Sequence, residues 1–182
     1  EGVSLEVRIY TTTGLTAATL TRELSAIYGS QVVSVTWRYD RIGGVDHAEI
    51  VVQGGLDLST ATSAQHEAQV ERGGVVWYRG RIASHEHFTA DGGELRTRIW
   101  CEGYVTKLAE IRVSGTWTAG TTIKSVVQDL LTSYVKPASR INFTASNIVG
   151  AYALAGALTF EGTALAAFRM LALLQGSTEW GV

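Results

Sequence analysis

The chain has little cysteine, proline or charge, and each shortage excludes a class of protein. Among its 182 residues Cys101 is the single cysteine, so no disulfide can form within the chain, which fits folding in a reducing compartment. Charged residues make up 18% and the formal net charge is -2, so the chain lacks the basic excess of a typical nucleic-acid-binding protein. No uncharged apolar run reaches about 20 residues, so we expect no membrane-spanning helix.

What the chain does contain is enough apolar residues to build a core. Hydrophobic residues make up 46% of it, and 20 glycines with one proline favour tight turns over flexible linkers. One or two domains are expected at this length. The sequence starts at Glu1 instead of Met, shows no signal peptide and ends at 180–182 in an apparent strand. We therefore expect it to be part of a longer protein.

The first part of the chain has the period of β-strands. Alternating or continuous apolar residues predict strands at 3–9, 33–39, 48–52, 68–71, 75–88, 95–102 and 111–117. Asp91-Gly92-Gly93 predicts a hairpin turn, because glycine adopts the positive φ angles that tight turns need. Residues 1–112 are therefore predicted to form an antiparallel β-barrel or sandwich.

The last third changes to a helical period. Apolar residues from 123 to 134 form one stripe, with Thr121 or Thr122 as the N-cap and Pro137 just past the predicted end. A second helix is predicted between Thr163 and Gly176, and a short strand at 140–144. Residues 113–182 are therefore predicted to form a small α+β module with two short helices, incomplete within this chain.

No residue pattern indicates catalysis or a cofactor. His85 and His87 lie two apart on a predicted strand and share a face, so they are weak candidates for a metal site, which would need at least one further ligand. Cys101 lies in a strand with nothing nearby to lower its pKa, which favours a buried structural thiol. We expect no catalytic residue, no cofactor and no enzymatic activity.

Four arginines on two neighbouring strands are the candidate partner or conduit surface. They are Arg79 and Arg81 on one strand, and Arg96 and Arg98 on its hairpin partner. The ordinary interpretation is a solvated face on which they pair with Glu94 and Glu102. The functional interpretation is a basic strip that faces an acidic neighbour or passing DNA.

The five tryptophans all fall in predicted strands. They stand at positions 37, 77, 100, 117 and 180. Bulky aromatic residues pack well on pleated sheets, so we expect most of them to be buried. One or two exposed tryptophans would instead indicate a partner surface or a platform for a sugar.

Several of these segments together resemble the N-terminal part of phage baseplate-hub and tail-tip proteins. The hydrophobic strand at 75–82 ends in Gly-x-Ile, the turn at 91–93 follows, and the return strand reaches Gly-Tyr and then a leucine at 99–108. The second part similarly shows Gly-Thr-x-Ile and a helix from 120, a short apolar segment at 151–160, and a helix with a tryptophan strand at 162–180.

The resemblance implies a structural protein of a phage or prophage tail. In that family the first domain is a tube-like β-barrel whose copies join into a ring, typically in a homotrimer, and the hub contacts the distal tail protein, the tape-measure protein and the tail tube. The implied location is the virion, after assembly in the bacterial cytoplasm, with DNA passing without sequence specificity. Two alternatives remain: a carbohydrate- or host-receptor-binding module, and a fragment of a tail-associated peptidoglycan hydrolase.

Overall fold

A computed structural model of the chain describes residues 5–11, 19–23, 31–40, 42–56, 58, 66–139, 141–176 and 180–181. Its strands are β1 Leu5–Thr11, β2 Thr19–Glu23, β3 Val32–Asp40, β4 Ile42–Gln53, β5 Glu67–Arg72, β6 Val75–Thr89, β7 Leu95–Gly103, β8 Arg112–Trp117, β9 Leu158–Thr163 and β10 Trp180–Gly181. Its helices are α1 Tyr104–Leu108, α2 Ile123–Leu130, α3 Lys136–Ala138 and α4 Ala164–Gln175, with a π-helical segment at Leu131–Val135 and a 3-10 turn at Ala145–Asn147.

The chain separates into two compact units. The first comprises Glu1–Tyr39 and Val45–Tyr104, and the second comprises Asp40–Gly44 and Val105–Val182. In the first unit the strands follow the order β4-β7-β6-β5-β1-β2, with β3 also paired with β4. The pairs whose registers are resolved in this unit are antiparallel, and the sheet curls into a half-barrel. The predicted fold class, an antiparallel β-barrel or sandwich followed by a small α+β module, is confirmed in the form of a curled half-barrel sheet and a small α+β part.

The concave side of this sheet holds the core of the first unit. Strict alternation places Val7, Ile9, Ala68 and Val70 on it from β1 and β5, because successive side chains of a strand point to opposite faces. The remaining buried members are Ala48, Ile50, Val52, Leu56, Leu58, Tyr78, Ile82, Ile99 and Cys101. The opposite face carries most of the charged side chains.

Two β-bulges change the alternation along β6. Ile82 pairs with Cys101 but Ser84 pairs with Trp100, so Ala83 is an extra residue on β6. Each bulge shifts the strand by one residue relative to its partner, so residues beyond it change face. As a result Arg79, Arg81, Glu86 and Phe88 lie on the charged face although their numbers differ in parity, and His85 and His87 lie on the concave side.

The second unit packs helices on a two-stranded antiparallel sheet, β8–β9. Its core includes Ile111, Val113 and Trp117 of the first part, and Ile123, Val126, Leu130, Val135, Leu154, Ala164, Ala167, Phe168 and Leu171 further on. β10 pairs in parallel with Ile42 and Gly43. None of the described helices has the length and apolarity needed to cross a bilayer.

The helix caps agree with the sequence predictions. The Thr122 hydroxyl accepts from the backbone N–H of Ser125, and the Thr163 hydroxyl accepts from the backbone N–H of Ala166, so each satisfies a donor that the first turn leaves free. Gly176 ends α4 at φ 73°, a left-handed conformation that glycine adopts without steric cost.

Two local predictions are wrong. Pro137 lies inside α3, which continues the helix beyond the π-helical segment, so the helical chain does not stop before it. The helix accommodates Pro137 because this residue lies in the first turn of α3, where proline is tolerated. No strand forms over 141–144, which are irregular and lead into a 3-10 turn. The threonine-rich sequence at 11–19 also predicts a loop; Thr11 ends β1 and Thr19 begins β2, and residues 12–18 lie outside the described residues.

Candidate functional site

The most distinctive surface of the first unit is an aromatic patch, defined here as Trp37 and Trp77. The two indole rings lie 6.2 Å apart between centroids and are tilted by 55°. Trp37 is 36% exposed and Trp77 51%, and Tyr39 is exposed by 65%. Val75 and Val76 are each about half exposed. Exposed aromatic rings that lie together, as Trp37 and Trp77 do, mark an interaction surface more often than scattered single residues do.

The backbone explains why Trp77 is exposed. Val70 pairs with Tyr78 and Glu71 pairs with Val76, so Trp77 is the extra residue of a bulge between β5 and β6. A bulge residue is released from the ladder and its side chain is re-aimed. Trp37 comes from β3, which is separated from β6 in the sheet by β4 and β7. Contact between the two rings therefore depends on the curl of the sheet.

The four predicted arginines share the charged face, and each pairs with glutamate. Arg79 Nε lies 2.5 Å from Glu67 Oε1, and Arg81 Nη2 lies 2.8 Å from Glu102 Oε2. The register places Arg81 directly opposite Glu102 across the β6–β7 ladder. The predicted pairing with Glu102 is confirmed.

The charges of Arg96 and Arg98 are also paired with glutamates. Arg96 Nη2 lies 2.9 Å from Glu94 Oε2, as predicted, and Arg98 lies between Glu86 at 3.0 Å and Glu49 at 3.3 Å. The Arg98 guanidinium also lies over two aromatic rings, at 4.7 Å from the Phe88 centroid and 5.6 Å from that of Trp100. The face is therefore a lattice of opposite charges and not a basic strip.

One carboxylate of this lattice is buried. The Glu67 side chain is 1% exposed, accepts a hydrogen bond from Arg79 Nε and accepts another from the Tyr104 hydroxyl. A buried carboxylate needs such partners because the cost of removing it from water exceeds the attraction of a single poorly placed charge. Arg79 is 52% exposed, so it links the buried group to the surface. These contacts give Glu67 a structural role.

The concave side holds a close approach between Tyr78 and Gly80. A Cβ atom at Gly80 would collide with the Tyr78 hydroxyl and would lie 2.5 Å from the backbone oxygen of Glu102. The Tyr78 hydroxyl is buried and has no hydrogen-bond partner among the described residues. Burial raises the pKa of this phenol far above its usual value, and burial raises the pKa of the Cys101 thiol to about 12. Both groups therefore stay protonated and chemically inert at neutral pH.

The two histidines that were weak metal candidates lie side by side on the concave side of the sheet. Their ring centroids are 5.7 Å apart. His87 Nδ1 lies 2.9 Å from the Thr97 hydroxyl oxygen, whose hydrogen is donated to the Gly54 carbonyl. The described part of the chain gathers no group of three or more His, Cys, Asp or Glu side chains that could hold a metal. The metal site at His85 and His87 stays a prediction.

Sequence reasoning missed the aromatic patch. The tryptophans were expected to be buried, and this holds for Trp117, at 9% exposure, whereas Trp100 is half-buried and the Trp180 side chain lies outside the described part. Trp37 and Trp77 were the exceptions. The only signal in the sequence was the run of three large apolar residues at 75–77, which is longer than a strict alternation allows.

Comparisons with known proteins find distant similarity to solved structures. No protein-family model matches the chain, and no curated protein matches it. A tail protein from Neisseria meningitidis MC58 is similar over 73% of this chain and 34% of its own length, with 12% identity and a TM-score of 0.46. The E. coli c3393 protein is similar over 94% of this chain and 39% of its own length, with 9% identity and a TM-score of 0.45.

The description of the E. coli protein calls it a component of the type VI secretion system with structural similarity to the T4 bacteriophage tail proteins gp27 and gp5. The chain spans between a third and two fifths of the length of these two proteins.

Proposed function

We propose that the chain is a structural component of a phage or prophage tail, and that it forms part of the baseplate hub or tail tip. The observation that carries this proposal is the position of the resembling segments in the fold. The motif at 75–82 is the first half of β6, the turn at 91–93 is the β6–β7 hairpin, and the return segment at 99–108 runs through β7 into α1. They therefore form one continuous element of the curled sheet.

The proposed mechanism is assembly without turnover. Residues 1–112 act as the tube-like domain and residues 113–182 as an accessory α+β module, and copies of the chain associate into a ring, as a homotrimer in the parent protein. A closed ring protects sheet edges that would otherwise pair indiscriminately. The ring continues the tail tube in the virion, after assembly in the host cytoplasm, and contacts the distal tail protein and the tape-measure protein.

The charged face is the proposed conduit or partner surface. Its arginines, Arg79, Arg81, Arg96 and Arg98, are already paired with glutamates. Phosphate binding depends on cationic side chains that displace counterions from the nucleic acid. A face whose cations are neutralised in this way would let DNA pass without holding it, which suits a conduit.

The experiment that tests this function is the mass of the chain in solution, measured by light scattering, with electron microscopy of the same sample. A ring-shaped assembly several times the 19.6 kDa of one chain supports the proposal. A chain that stays monomeric up to millimolar concentration, and that forms no complex with tail-tube subunits, contradicts it.

A second candidate is a carbohydrate- or receptor-binding module of the tail tip, which the exposed pair of Trp37 and Trp77 favours. Indole rings exposed side by side can stack against the apolar faces of sugar rings. Titration with peptidoglycan fragments, followed by intrinsic tryptophan fluorescence, separates this candidate from the first. Saturable quenching that disappears in the Trp77→Ser variant would establish it.

A further inference from the structure

We propose that His85 and His87 form a two-imidazole binding site for a divalent transition-metal ion such as copper, nickel or zinc. Such a site is separate from the tail function and does not depend on it. The sequence indicates only that the two side chains share one face of a strand. Three structural observations go further: the order of the hydrogen bonds around His87, the separation of the two rings, and the side chains that surround the pair.

The hydrogen bonds around Thr97 determine which nitrogen of His87 carries a proton. Thr97 Oγ1 lies 2.9 Å from the Leu56 backbone nitrogen, 2.8 Å from the Gly54 carbonyl oxygen and 2.9 Å from His87 Nδ1. A hydroxyl donates one hydrogen and accepts two. The Gly54 carbonyl can only accept, so it takes the hydroxyl hydrogen, while the Leu56 N–H donates to the hydroxyl oxygen. His87 Nδ1 must therefore donate its own hydrogen to Thr97 Oγ1.

This order leaves a lone pair on Nε2 of the neutral His87 ring, since a neutral imidazole carries its proton on one nitrogen only. A histidine that binds a metal usually donates its other ring N–H to a nearby acceptor, which fixes both the tautomer and the direction of the ring. Thr97 is fully buried, and backbone groups hold its hydroxyl on two sides. His87 is therefore already oriented as a ligand through Nε2.

The ring of His85 lies at the distance that a second ligand needs. The two ring centroids are 5.7 Å apart, and the planes meet at 73°, so the rings are not stacked face to face. Two imidazoles that bind one tetrahedral ion, with Zn–N distances of about 2.1 Å, have ring centres roughly 5 Å apart. Within the described ranges no hydrogen bond engages the His85 ring, so a small rotation can bring one of its nitrogens to the same ion.

The surroundings of the pair do not oppose a cation. Directly across the β6–β7 ladder, His85 faces Ile99 and His87 faces Thr97, and both of these uncharged residues are fully buried. Arg98 lies between them on β7 and points to the opposite face of the sheet, into the charged lattice. On β6 and β7, both of which the structure describes in full, no cationic side chain lies on the side of the imidazoles.

The number of ligands determines the kind of site. The described residues gather no group of three or more His, Cys, Asp or Glu side chains, so this pair does not complete the four-ligand shell of a structural zinc site. The remaining positions around the ion are open to water or to a donor from another molecule. Imidazole suits copper, nickel and zinc, whereas magnesium and calcium prefer oxygen ligands. We therefore expect Cu²⁺ to bind most tightly and Mg²⁺ not to bind.

The test is a calorimetric titration of the full 182-residue chain with Cu²⁺, compared with His85→Ala, His87→Ala and the double variant. The control is His47→Ala, which removes a histidine that is 56% exposed on another strand. We expect one ion per chain beyond any that the double variant still binds. Each single variant should lose at least tenfold in affinity, and the control should stay within twofold. Far-ultraviolet circular dichroism checks that the variants fold.

The pattern among these variants separates a chelate from two independent histidines. In a chelate, loss of either imidazole weakens binding almost as much as loss of both. Single variants that keep the affinity of the unchanged chain, or a titration in which Mg²⁺ binds as well as Cu²⁺, would overturn the proposal. A folded Thr97→Ser chain should keep the affinity, because the hydroxyl remains, whereas Thr97→Val should lose roughly tenfold or more.

A spectroscopic measurement on the unchanged chain decides the question even if the variants do not fold. Pulsed electron paramagnetic resonance of the chain loaded with less than one equivalent of Cu²⁺ counts the imidazole nitrogens that are bound to the ion. Two imidazoles on one ion support the proposed site. A spectrum with one imidazole or none overturns it, and leaves the proposed tail function unaffected.

Discussion

Substitution of Gly80 by alanine tests the packing of the concave side most directly. The added Cβ would lie 2.5 Å from the Glu102 backbone oxygen and 2.7 Å from Tyr78 Cζ, and would also collide with the Tyr78 hydroxyl. Contacts below 3.0 Å require atoms to move. The Glu102 oxygen belongs to β7, whose backbone is held by the ladder in which Gly80 pairs with Gly103. The strain therefore cannot be relieved by rotating one side chain.

Overpacking of a filled core costs about 1–3 kcal/mol, and a backbone obstacle places Gly80→Ala at the upper end, at about 3 kcal/mol. This is a large part of the ~5–15 kcal/mol by which a domain is stable. For a chain of this length it corresponds to a fall in melting temperature of roughly 6–12 °C. Urea unfolding followed by tryptophan fluorescence measures it.

Gly156→Ala is the matched control, because Gly156 has open space around its Cα and an ordinary φ angle. We expect it to change the free energy of unfolding by less than about 0.5 kcal/mol. The double variant Tyr78→Phe/Gly80→Ala should recover only part of the loss, since the Glu102 oxygen remains. A Gly80→Ala variant as stable as the Gly156→Ala control would refute the steric reasoning.

Three further predictions concern single side chains. Tyr78→Phe should leave stability unchanged or raise it by up to about 1 kcal/mol in urea unfolding, because the hydroxyl is buried without a partner in the described structure. Thr163→Ala should cost about 1 kcal/mol in thermal unfolding, because the Ala166 N–H loses its cap, whereas Thr163→Ser should keep most of it. Burial raises the pKa of the Cys101 thiol to about 12, so this thiol should react with Ellman's reagent at pH 8 only as fast as the chain opens, and fast labelling of the folded protein would contradict the burial. The neutral thiol stabilises the fold below pH ~9, and this contribution to stability should be lost as the pH rises from ~9 towards 12.

Much of the fold could be predicted because its signals are local. The turn at Asp91-Gly92-Gly93 forms where predicted, with Gly92 and Gly93 at φ 102° and 82°. Helix α4 begins after Thr163 and ends at Gly176, as its capping residues indicated. These features depend on a few neighbouring residues, so a short stretch of sequence is enough to predict them.

The wrong predictions concern features that are determined by contacts between residues far apart in the sequence. Pro137 lies in the first turn of α3, directly after the π-helical segment Leu131–Val135. No local sequence signal predicts the π-helical segment or the continuation of the helix through Pro137. The segment at 140–144 has strand-like residues, yet 141–144 form no ladder, because a strand needs a neighbour that the sequence alone does not supply.

The candidate site was predicted only in part for the same reason. The alternation showed that Arg79 and Arg81 share a face, but the bulge at Trp77 and the curl of the sheet were needed to bring Trp37 and Trp77 together. Both depend on strand register, which is a property of pairs of strands.

The extra residue Ala83 has a consequence for the ancestry of this chain. Since Ile82 and Ser84 pair with adjacent residues of β7, a relative without the bulge would have one residue fewer in β6 and still keep the same contacts. In an alignment without a gap, every position of β6 after 82 would be compared with a residue of the relative that lies on the opposite face of the sheet. Distant kinship in this strand should therefore become visible when a one-residue gap is allowed at Ala83, and apolar positions on both sides of the gap should then coincide.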